Sequence, residues 1–222
     1  MKIKAILIDF DGTVVTEDIL DIVCGIVGKE KESRKLNEEY HKGIRSGRAS
    51  LIARINLLKG VTITQIKQKL AENDFLVPGA EDFFDYLNSN NLISILYSGN
   101  LVPILNYYKD KLGITFVVGT KPKMNGDKIV SISEKDFSGP SFKLPDSKAI
   151  LGKYNIKASE VVAIGDSPAD KPIFEFAAKS IAINPKGGIE NYADYVIKND
   201  LSKAIDILDN LMNNFSGEVR NK

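Results

Sequence analysis

Near its start the chain carries an apolar run that ends in two closely spaced acids, Ile6-Leu7-Ile8-Asp9-Phe10-Asp11-Gly12-Thr13. The pattern is typical of a buried strand followed by a turn. Side chains two residues apart on a strand project to the same side, so Asp9 and Asp11 are expected to face one way. Burying two carboxylates together is costly unless a cation, a shared proton or dense hydrogen bonding offsets their repulsion. Either the pair is functional, or Asp9 caps the next helix and Asp11-Gly12 is an ordinary turn.

Composition limits the class of protein and its partners. A chain of 222 residues with 43% hydrophobic content can bury a full core, as one domain or one domain with an insertion. Thirty basic and 29 acidic residues leave a net charge of +1, so neither nucleic acid nor an acidic membrane is expected as a partner. The single Cys24 lies between Val23 and Gly25 in an apolar stretch and is interpreted as core packing. With no long apolar run or signal-type start, the expectation is a cytoplasmic monomer or homodimer.

Short apolar runs followed by helical patterns recur along the chain and predict parallel strands. They are 3–8, 92–96, 161–164 and 180–183. The prediction is an α/β fold, a doubly wound, Rossmann-like parallel sheet covered by helices on both faces. Apolar residues at helical spacing fill the segment between the first two runs and predict a small helical cap inserted after the first strand. The two sets that share a face are Leu51, Ile52, Ile55 and Leu58, and Ile63, Ile66 and Leu70.

These patterns set the predicted domain limits. The core domain is predicted to comprise residues 1–15 and 78–215, and the cap is predicted to comprise residues 16–77. Residues 216–222 are predicted to form a disordered tail. Pro78-Gly79 marks the return to the core, where 80–87 should form a helix, and 201–212 should form the last helix. Asn125-Gly126, between Phe116-Val117-Val118 and 128–132, predicts the turn of an antiparallel hairpin.

A second pair of acids follows the third predicted strand, in Gly165-Asp166-Ser167-Pro168-Ala169-Asp170. Ligands of open α/β sheets bind at the carboxyl ends of the strands. Helix capping by Ser167, Pro168 and Asp170 would explain three of these residues without a ligand, but it leaves Asp166 unexplained. Four acids from two strand ends suit a hard, oxygen-preferring cation such as Mg²⁺, whereas one Cys and one His cannot build a zinc site.

Two further elements fall at the same predicted edge. Strand two ends in Ser98-Gly99-Asn100 before a helix, so a hydroxyl and free backbone N–H groups could form a phosphate cradle; a simple helix cap is the alternative. Lys148 lies in a helical stretch, 147–154, before strand three. Most lysines in such a position are solvated, and only its order along the chain makes Lys148 a candidate.

Taken in order, Asp9 to Thr13, Ser98-Gly99, Lys148 and Gly165 to Asp170 resemble the four motifs of the haloacid dehalogenase superfamily, in particular its phosphatase branch. The resemblance covers the whole core. It implies hydrolysis of a small phosphorylated metabolite with Mg²⁺ as cofactor. Asp9 would be the nucleophile that forms an aspartyl phosphate, and Asp11 the general acid and base.

The same resemblance assigns the remaining site residues. The metal ligands would be Asp9, Asp11 through its backbone carbonyl, Asp166 and Asp170, the last either directly or in the outer shell. Lys148 would restrain Asp9 and bind phosphate. Contacts to the substrate or its phosphate would come from Gly12, Thr13, Ser98, Gly99, Asn100, Asp18 and Arg54.

The cap narrows the resemblance to phosphoserine phosphatases. Asp18 and Arg54 fall in stretches similar to those that carry that family's substrate-binding acid and arginine, and phosphoserine is therefore the leading substrate. A helix cap for Asp18 and a solvated surface position for Arg54 are the alternatives. The chain departs from the family pattern at Asp18, where Glu is usual, at Asn100, where Gly is usual, and at Ala169, where Asn is usual. A methionine-salvage phosphatase acting on a phosphorylated enediol and a phosphotransferase or mutase are the alternative functions.

Overall fold

Six parallel strands form the central sheet, in a computed structural model that describes residues 2–132 and 140–216, with side chains at 2–132 and 144–213. A separate two-stranded hairpin follows the third strand. In chain order the strands are β1 (Ala5–Asp9), β2 (Ile93–Leu101), β3 (Phe116–Thr120), β4 (Pro122–Asn125), β5 (Lys128–Ile132), β6 (Val161–Gly165), β7 (Lys179–Ile183) and β8 (Tyr195–Ile197).

The strand order of the large sheet is β3-β2-β1-β6-β7-β8, with β1 at the centre. Ile8 of β1 pairs with Leu96 on one side and Ile164 on the other, and every pairing is parallel. The chain winds outward from β1 in one direction and then returns to wind outward in the other. The switch between these directions lies between β1 and β6, where doubly wound sheets bind their ligands. The predicted doubly wound, Rossmann-like sheet is confirmed.

Helices cover both faces of the sheet and also form the insertion after β1. They are α1 (Ile19–Cys24), α2 (Glu30–His41), α3 (Gly47–Asn56), α4 (Ile63–Ala71), α5 (Ala80–Ser89), α6 (Val102–Leu112), α7 (Pro140–Lys153), α8 (Lys171–Phe176) and α9 (Lys203–Ser216). Alternate residues of β1 enter two cores: Ala5 and Leu7 pack with α7 and α8, while Ile6 and Ile8 pack with α5, α6 and α9. This alternation explains why β1 is apolar throughout, because both of its faces are buried.

The insertion consists of α1 to α4, and apolar residues of α1, α3 and α4 join the second of these cores. Ile55, Leu58, Ile66 and Leu70 are almost fully buried, as their helical spacing predicts. The two connections to the core run side by side, since Thr16 N–H donates to Phe75 O (2.9 Å) and Val77 N–H donates to Val14 O (3.0 Å). The exact domain limits, 16–77 for the cap and 1–15 with 78–215 for the core, stay a prediction.

The hairpin differs in part from the prediction. Asn125-Gly126 does lie at a turn between antiparallel strands, but the arm before it is β4, not Phe116-Val117-Val118. Those residues belong to β3 and pair in parallel with β2. The hairpin tip contacts the cap: Gly60 N–H donates to Ile129 O (2.7 Å) and Ile63 N–H donates to Asp127 O (3.0 Å).

Two remaining expectations concern the chain as a whole. Among the described residues, no helix combines the length and apolar character needed to cross a membrane. The last helix, α9, extends through Ser216, and the rest of the predicted tail, 217–222, lies outside the described residues.

Candidate active site

Three carboxylates from different parts of the chain meet at the carboxyl edge of the sheet. Asp9 is the last residue of β1, Asp166 follows β6, and Asp170 ends the short 3-10 turn Pro168–Asp170. One carboxylate oxygen from each residue lies within 4.8 Å of the others, and all three side chains are buried. Asp9, Asp166 and Asp170 therefore form the acidic cluster that their positions in the sequence predict.

The loop after β6 holds Asp170 firmly. Its Oδ2 accepts hydrogen bonds from the backbone N–H groups of Asp166 and Ser167, both at 3.1 Å, and Tyr97 donates to its Oδ1 at 3.3 Å. The capping arrangement that the sequence suggested is present, with Ser167 as N-cap and Asp170 at the third position. Capping and membership of the acidic cluster are thus compatible, because Asp170 takes part in both.

The donor set of the acidic cluster fits Mg²⁺. It offers only carboxylate oxygens, which are the ligands this ion prefers, and it is buried where uncompensated negative charge is costly. Among the described side chains, Lys186 is the cation that reaches the cluster, with Nζ 2.9 Å from Asp166 Oδ2. Carboxylates this close to one another repel, and a divalent cation would offset that repulsion.

Gly12 is required by the close approach of two loops. Its φ of +88° lies in the left-handed region, and a Cβ at this position would overlap Asp166 Oδ2. The turn after Asp11 can therefore pass beside the acidic cluster only without a side chain.

The Asp11 carboxylate faces the cavity beside the acidic cluster and is held by three donors. Ile19 N–H donates to Oδ1 (3.0 Å), Ser98 Oγ to Oδ2 (3.3 Å), and Asn100 Nδ2 to both oxygens (3.4 Å each). Burial, reinforced by the negative charge of Asp18, raises the pKa of Asp11 to about 7, although the hydrogen bond from Ile19 opposes the shift. A carboxyl with such a pKa can give and take a proton near neutral pH.

Arg54 is the centre of a charged network in the cap. Its Nη2 donates to the carboxylates of Asp18 and Asp21, and its Nε donates to Ser33 Oγ at 3.0 Å. Burial alone would lower the pKa of Arg54, but the charges of Asp18 and Asp21 outweigh it and the pKa is raised. The alternative of a solvated surface arginine is wrong, since Arg54 is only 5% exposed. Asp18 is indeed the N-cap of α1, accepting from Asp21 N–H at 3.2 Å.

A cavity of about 330 Å³ lies between the core and the cap. Its walls combine residues from the sheet edge with residues from the cap helices. The core contributes Asp9, Asp11, Gly12, Ser98, Gly99, Asn100, Asp166, Ser167 and Lys186, and the cap contributes Thr16, Glu17, Asp18, Leu20, Asn37, Tyr40, His41, Gly47, Ser50, Leu51 and Arg54.

Three candidates from the sequence do not line this cavity: Asp170, which belongs to the acidic cluster, and Lys148 and Thr13. Lys148 is exposed on α7, and its ammonium lies over the Phe176 ring, 4.7 Å from the centroid. Chain order alone suggested Lys148, and its face of the helix turns away from the sheet, so its assignment to the site is corrected. Thr13 is fully buried, and its Oγ1 has no partner among the described atoms.

Two charged residues that form ion pairs with predicted site residues were missed by the sequence reasoning. Asp21, on the first turn of α1, gives Arg54 its second carboxylate, and Lys186 pairs with Asp166. The i, i+3 spacing of Asp18 and Asp21 in α1 is a signal that could have identified the first of these. No comparable local signal marks Lys186, because its position depends on the long turn after β7. Cys24 is buried in the core, as expected, and burial raises the pKa of its thiol to about 11.

Comparison with known proteins agrees with the fold and the motifs. Residues 3–177 match the haloacid dehalogenase-like hydrolase family. The phosphoserine phosphatase of Methanocaldococcus jannaschii is 27% identical over 205 residues, covering 92% of this chain and 97% of that protein. That of Archaeoglobus fulgidus is 25% identical over 191 residues, covering 86% of this chain but 55% of the longer relative.

A solved structure gives the same result in three dimensions. The phospho-aspartyl intermediate analogue of a phosphoserine phosphatase superposes with a TM-score of 0.79 at 26% identity, covering 93% of this chain and 99% of that one. The predicted resemblance to phosphoserine phosphatases of this superfamily is confirmed. The chain belongs to the haloacid dehalogenase-like hydrolase family.

Proposed function

We propose that the protein is a Mg²⁺-dependent phosphomonoesterase that acts on a small phosphorylated metabolite, with phosphoserine as the leading substrate. The observation that carries the proposal is the meeting of the carboxylate oxygens of Asp9, Asp166 and Asp170 within 4.8 Å, at the cavity that Asp11 also lines. The three similar proteins described above are named phosphoserine phosphatases, which supports the same substrate class.

The chemistry would proceed in two displacements. A carboxylate oxygen of Asp9 attacks the phosphorus, and the bond between phosphorus and the ester oxygen breaks. Asp11 gives its proton to that leaving oxygen, so that a neutral alcohol departs. Water then attacks the aspartyl phosphate and gives a proton to Asp11, and the bond from phosphorus to Asp9 breaks, which releases phosphate and restores the Asp9 carboxylate and the protonated Asp11.

Each remaining group of the site would serve binding. Asp9, Asp166 and Asp170 would hold the Mg²⁺, with the backbone carbonyl of Asp11 as a further ligand. When bound, this ion would offset the repulsion between an anionic nucleophile and an anionic phosphate. The Ser98 hydroxyl and Gly99 N–H would bind the phosphoryl oxygens, whose negative charge must be stabilised throughout the reaction.

The cap side of the cavity suits an amino acid. Asp18 carries a partly exposed carboxylate that could pair with an ammonium group. Arg54 commits Nε and Nη2 to the protein, while its Nη1 has no hydrogen-bond partner among the described residues and could bind a carboxylate. A substrate with both groups, such as phosphoserine, would use both contacts.

The test is phosphate release from a panel of esters with and without Mg²⁺. We expect L-phosphoserine to give a higher kcat/KM than phosphoethanolamine, which lacks the carboxylate, and than 3-phosphoglycerate, which lacks the amine. Free L-serine labelled with ¹⁴C is added to detect transfer. The proposal would be contradicted if none of the esters released phosphate. It would also be contradicted if the phosphoryl group were transferred to serine and no phosphate were released.

A further inference from the structure

Asn100 stands at the end of β2 with its amide group fixed in one orientation. The residue is 3% exposed, and its Oδ1 accepts the N–H of Leu101 at 2.8 Å. Because the carbonyl end of the amide is committed to that donor, the NH₂ end must face the opposite way. It faces Asp11, with Nδ2 3.4 Å from each carboxylate oxygen.

This contact differs in geometry from the other two on the same carboxylate. Ile19 N–H and Ser98 Oγ each address one oxygen of Asp11. Asn100 is equidistant from both oxygens, so rotation of the carboxylate in either direction lengthens one of its contacts. Asn100 is also tied to its neighbour, since its own N–H donates to Ser98 Oγ at 3.0 Å.

A phosphate-binding role is less consistent with these contacts. The Oδ1 atom is an acceptor already engaged with the backbone, and an acceptor does not bind phosphate oxygens. The only donor of the side chain is the NH₂ group that faces Asp11. The Asn100 side chain is therefore directed at the proton-transfer group.

We propose that Asn100 is a positioning residue that aims the Asp11 carboxyl at the leaving oxygen of the substrate. The inference rests on the proposed function, because it concerns the proton that Asp11 gives to the departing alcohol. The loss of kcat/KM on replacing Asn100 should therefore be larger for a substrate whose leaving group needs that proton than for one whose leaving group does not.

The experiment measures kcat/KM for L-phosphoserine, a poor leaving group, and 4-nitrophenyl phosphate, a good one that departs without a proton. Asn100→Asp keeps the size of the side chain and an acceptor for Leu101 but replaces the NH₂ donor with an oxygen that repels the Asp11 carboxylate. Asn100→Ala removes the contact without adding a charge. General acid catalysis contributes about 10²–10⁴-fold, so a loss of about 10- to 100-fold is expected on phosphoserine. The loss on 4-nitrophenyl phosphate should stay within about threefold, because that step needs little acid catalysis. Asn106→Ala, an exposed asparagine on α6, should change neither value.

A double-mutant cycle isolates the route of the effect. If Asn100 acts through Asp11, Asn100→Ala should lower kcat/KM for phosphoserine much less in the Asp11→Asn variant than in the wild type. Equal losses on the two substrates, or additive losses in the cycle, would overturn the inference and indicate phosphate binding or a general structural role. Should Asn100→Ala not fold, Asn100→Ser, which adds no charge beside Asp11, supplies the same comparison. A wild type inactive on every ester would instead overturn the proposed function itself, and the inference with it.

Discussion

Arg54 and Asp21 form an ion pair inside the cap, with Nη2 2.9 Å from Oδ1 and side-chain exposures of only 6% and 3%. Asp18 is held by the same guanidinium nitrogen. The arginine therefore has a structural task besides any contact with substrate. Loss of Arg54 would leave Asp21 as a buried carboxylate without its counter-charge.

Arg54→Ala should consequently destabilise the fold. Removing one partner of a buried ion pair costs about 3–5 kcal/mol, and we expect the free energy of unfolding in urea to fall by about that amount. Arg34→Ala is the matched control, because Arg34 pairs with Glu30 at 2.9 Å on the exposed surface of α2. Its loss should cost about 1 kcal/mol or less. Equal stability of the two variants would show that the buried pair does not support the cap.

Asp18 is the better residue with which to test recognition of the substrate amine. Asp18→Asn preserves the shape of the side chain but removes the charge that would attract an ammonium group. The expected result is a loss of about tenfold in kcat/KM for phosphoserine, with little change for 4-nitrophenyl phosphate, which has no amine. Parallel losses for the two substrates would argue against an amine contact.

Gly12→Ala should disable the acidic cluster. A Cβ at this position would overlap Asp166 Oδ2, in addition to the strain of a φ of +88°. Gly126→Ala separates these two effects, because Gly126 has a φ of +58° and no neighbouring atom within 4 Å of the added Cβ. The control should lose only about 1–2 kcal/mol of stability through backbone strain. Isothermal titration with Mg²⁺ should detect binding to Gly126→Ala and not to Gly12→Ala; normal binding by both would contradict the predicted overlap.

Asp166→Asn tests the metal site without adding bulk. The substitution removes one of three buried charges and should weaken Mg²⁺ binding by at least about tenfold. Titration calorimetry measures this directly, independent of turnover. Asp194→Asn is a suitable control, because Asp194 lies between β7 and β8 and pairs with Lys179 at 2.6 Å, away from the cavity. If both variants bind Mg²⁺ like the wild type, Asp166 is not a ligand.

Lys148→Ala should retain activity, since the ammonium of Lys148 packs over Phe176 and not at the cavity. Phosphate release from L-phosphoserine by Lys148→Ala should match that of the wild type, and a large loss would return Lys148 to the site.

The sequence predicted the parts of the site that depend on local pattern. The apolar run before Asp9 and the run before Asp166 identified the two strands that flank the switch point, and parallel strands bring their carboxyl ends together. The edge strand β3 was harder to identify, because Phe116-Val117-Val118 come shortly before the turn signal at Asn125-Gly126. Their pairing with β2 depends on tertiary contacts and not on local sequence. Contacts such as those of Asn100 with Asp11 and Lys186 with Asp166 depend on how separate loops pack, which spacing along the chain does not encode.

Asp9→Asn should abolish turnover while the fold survives. The amide lacks the charge needed to attack phosphorus, and a loss of about 10³-fold or more in phosphate release is expected. Circular dichroism and the thermal midpoint should remain close to wild type, because Asp9 lies at the carboxyl end of β1 and not within the apolar core. An active Asp9→Asn protein would exclude this residue as the nucleophile.

The most direct measurement captures the covalent intermediate. The protein is mixed with Mg²⁺ and L-phosphoserine, quenched in acid during turnover, reduced with borohydride and analysed by peptide mass spectrometry. Reduction converts an aspartyl phosphate to homoserine, so the account predicts that mass change at Asp9 and its absence when substrate is omitted. Phosphate release with no modification of Asp9, or with modification at another residue, would contradict it.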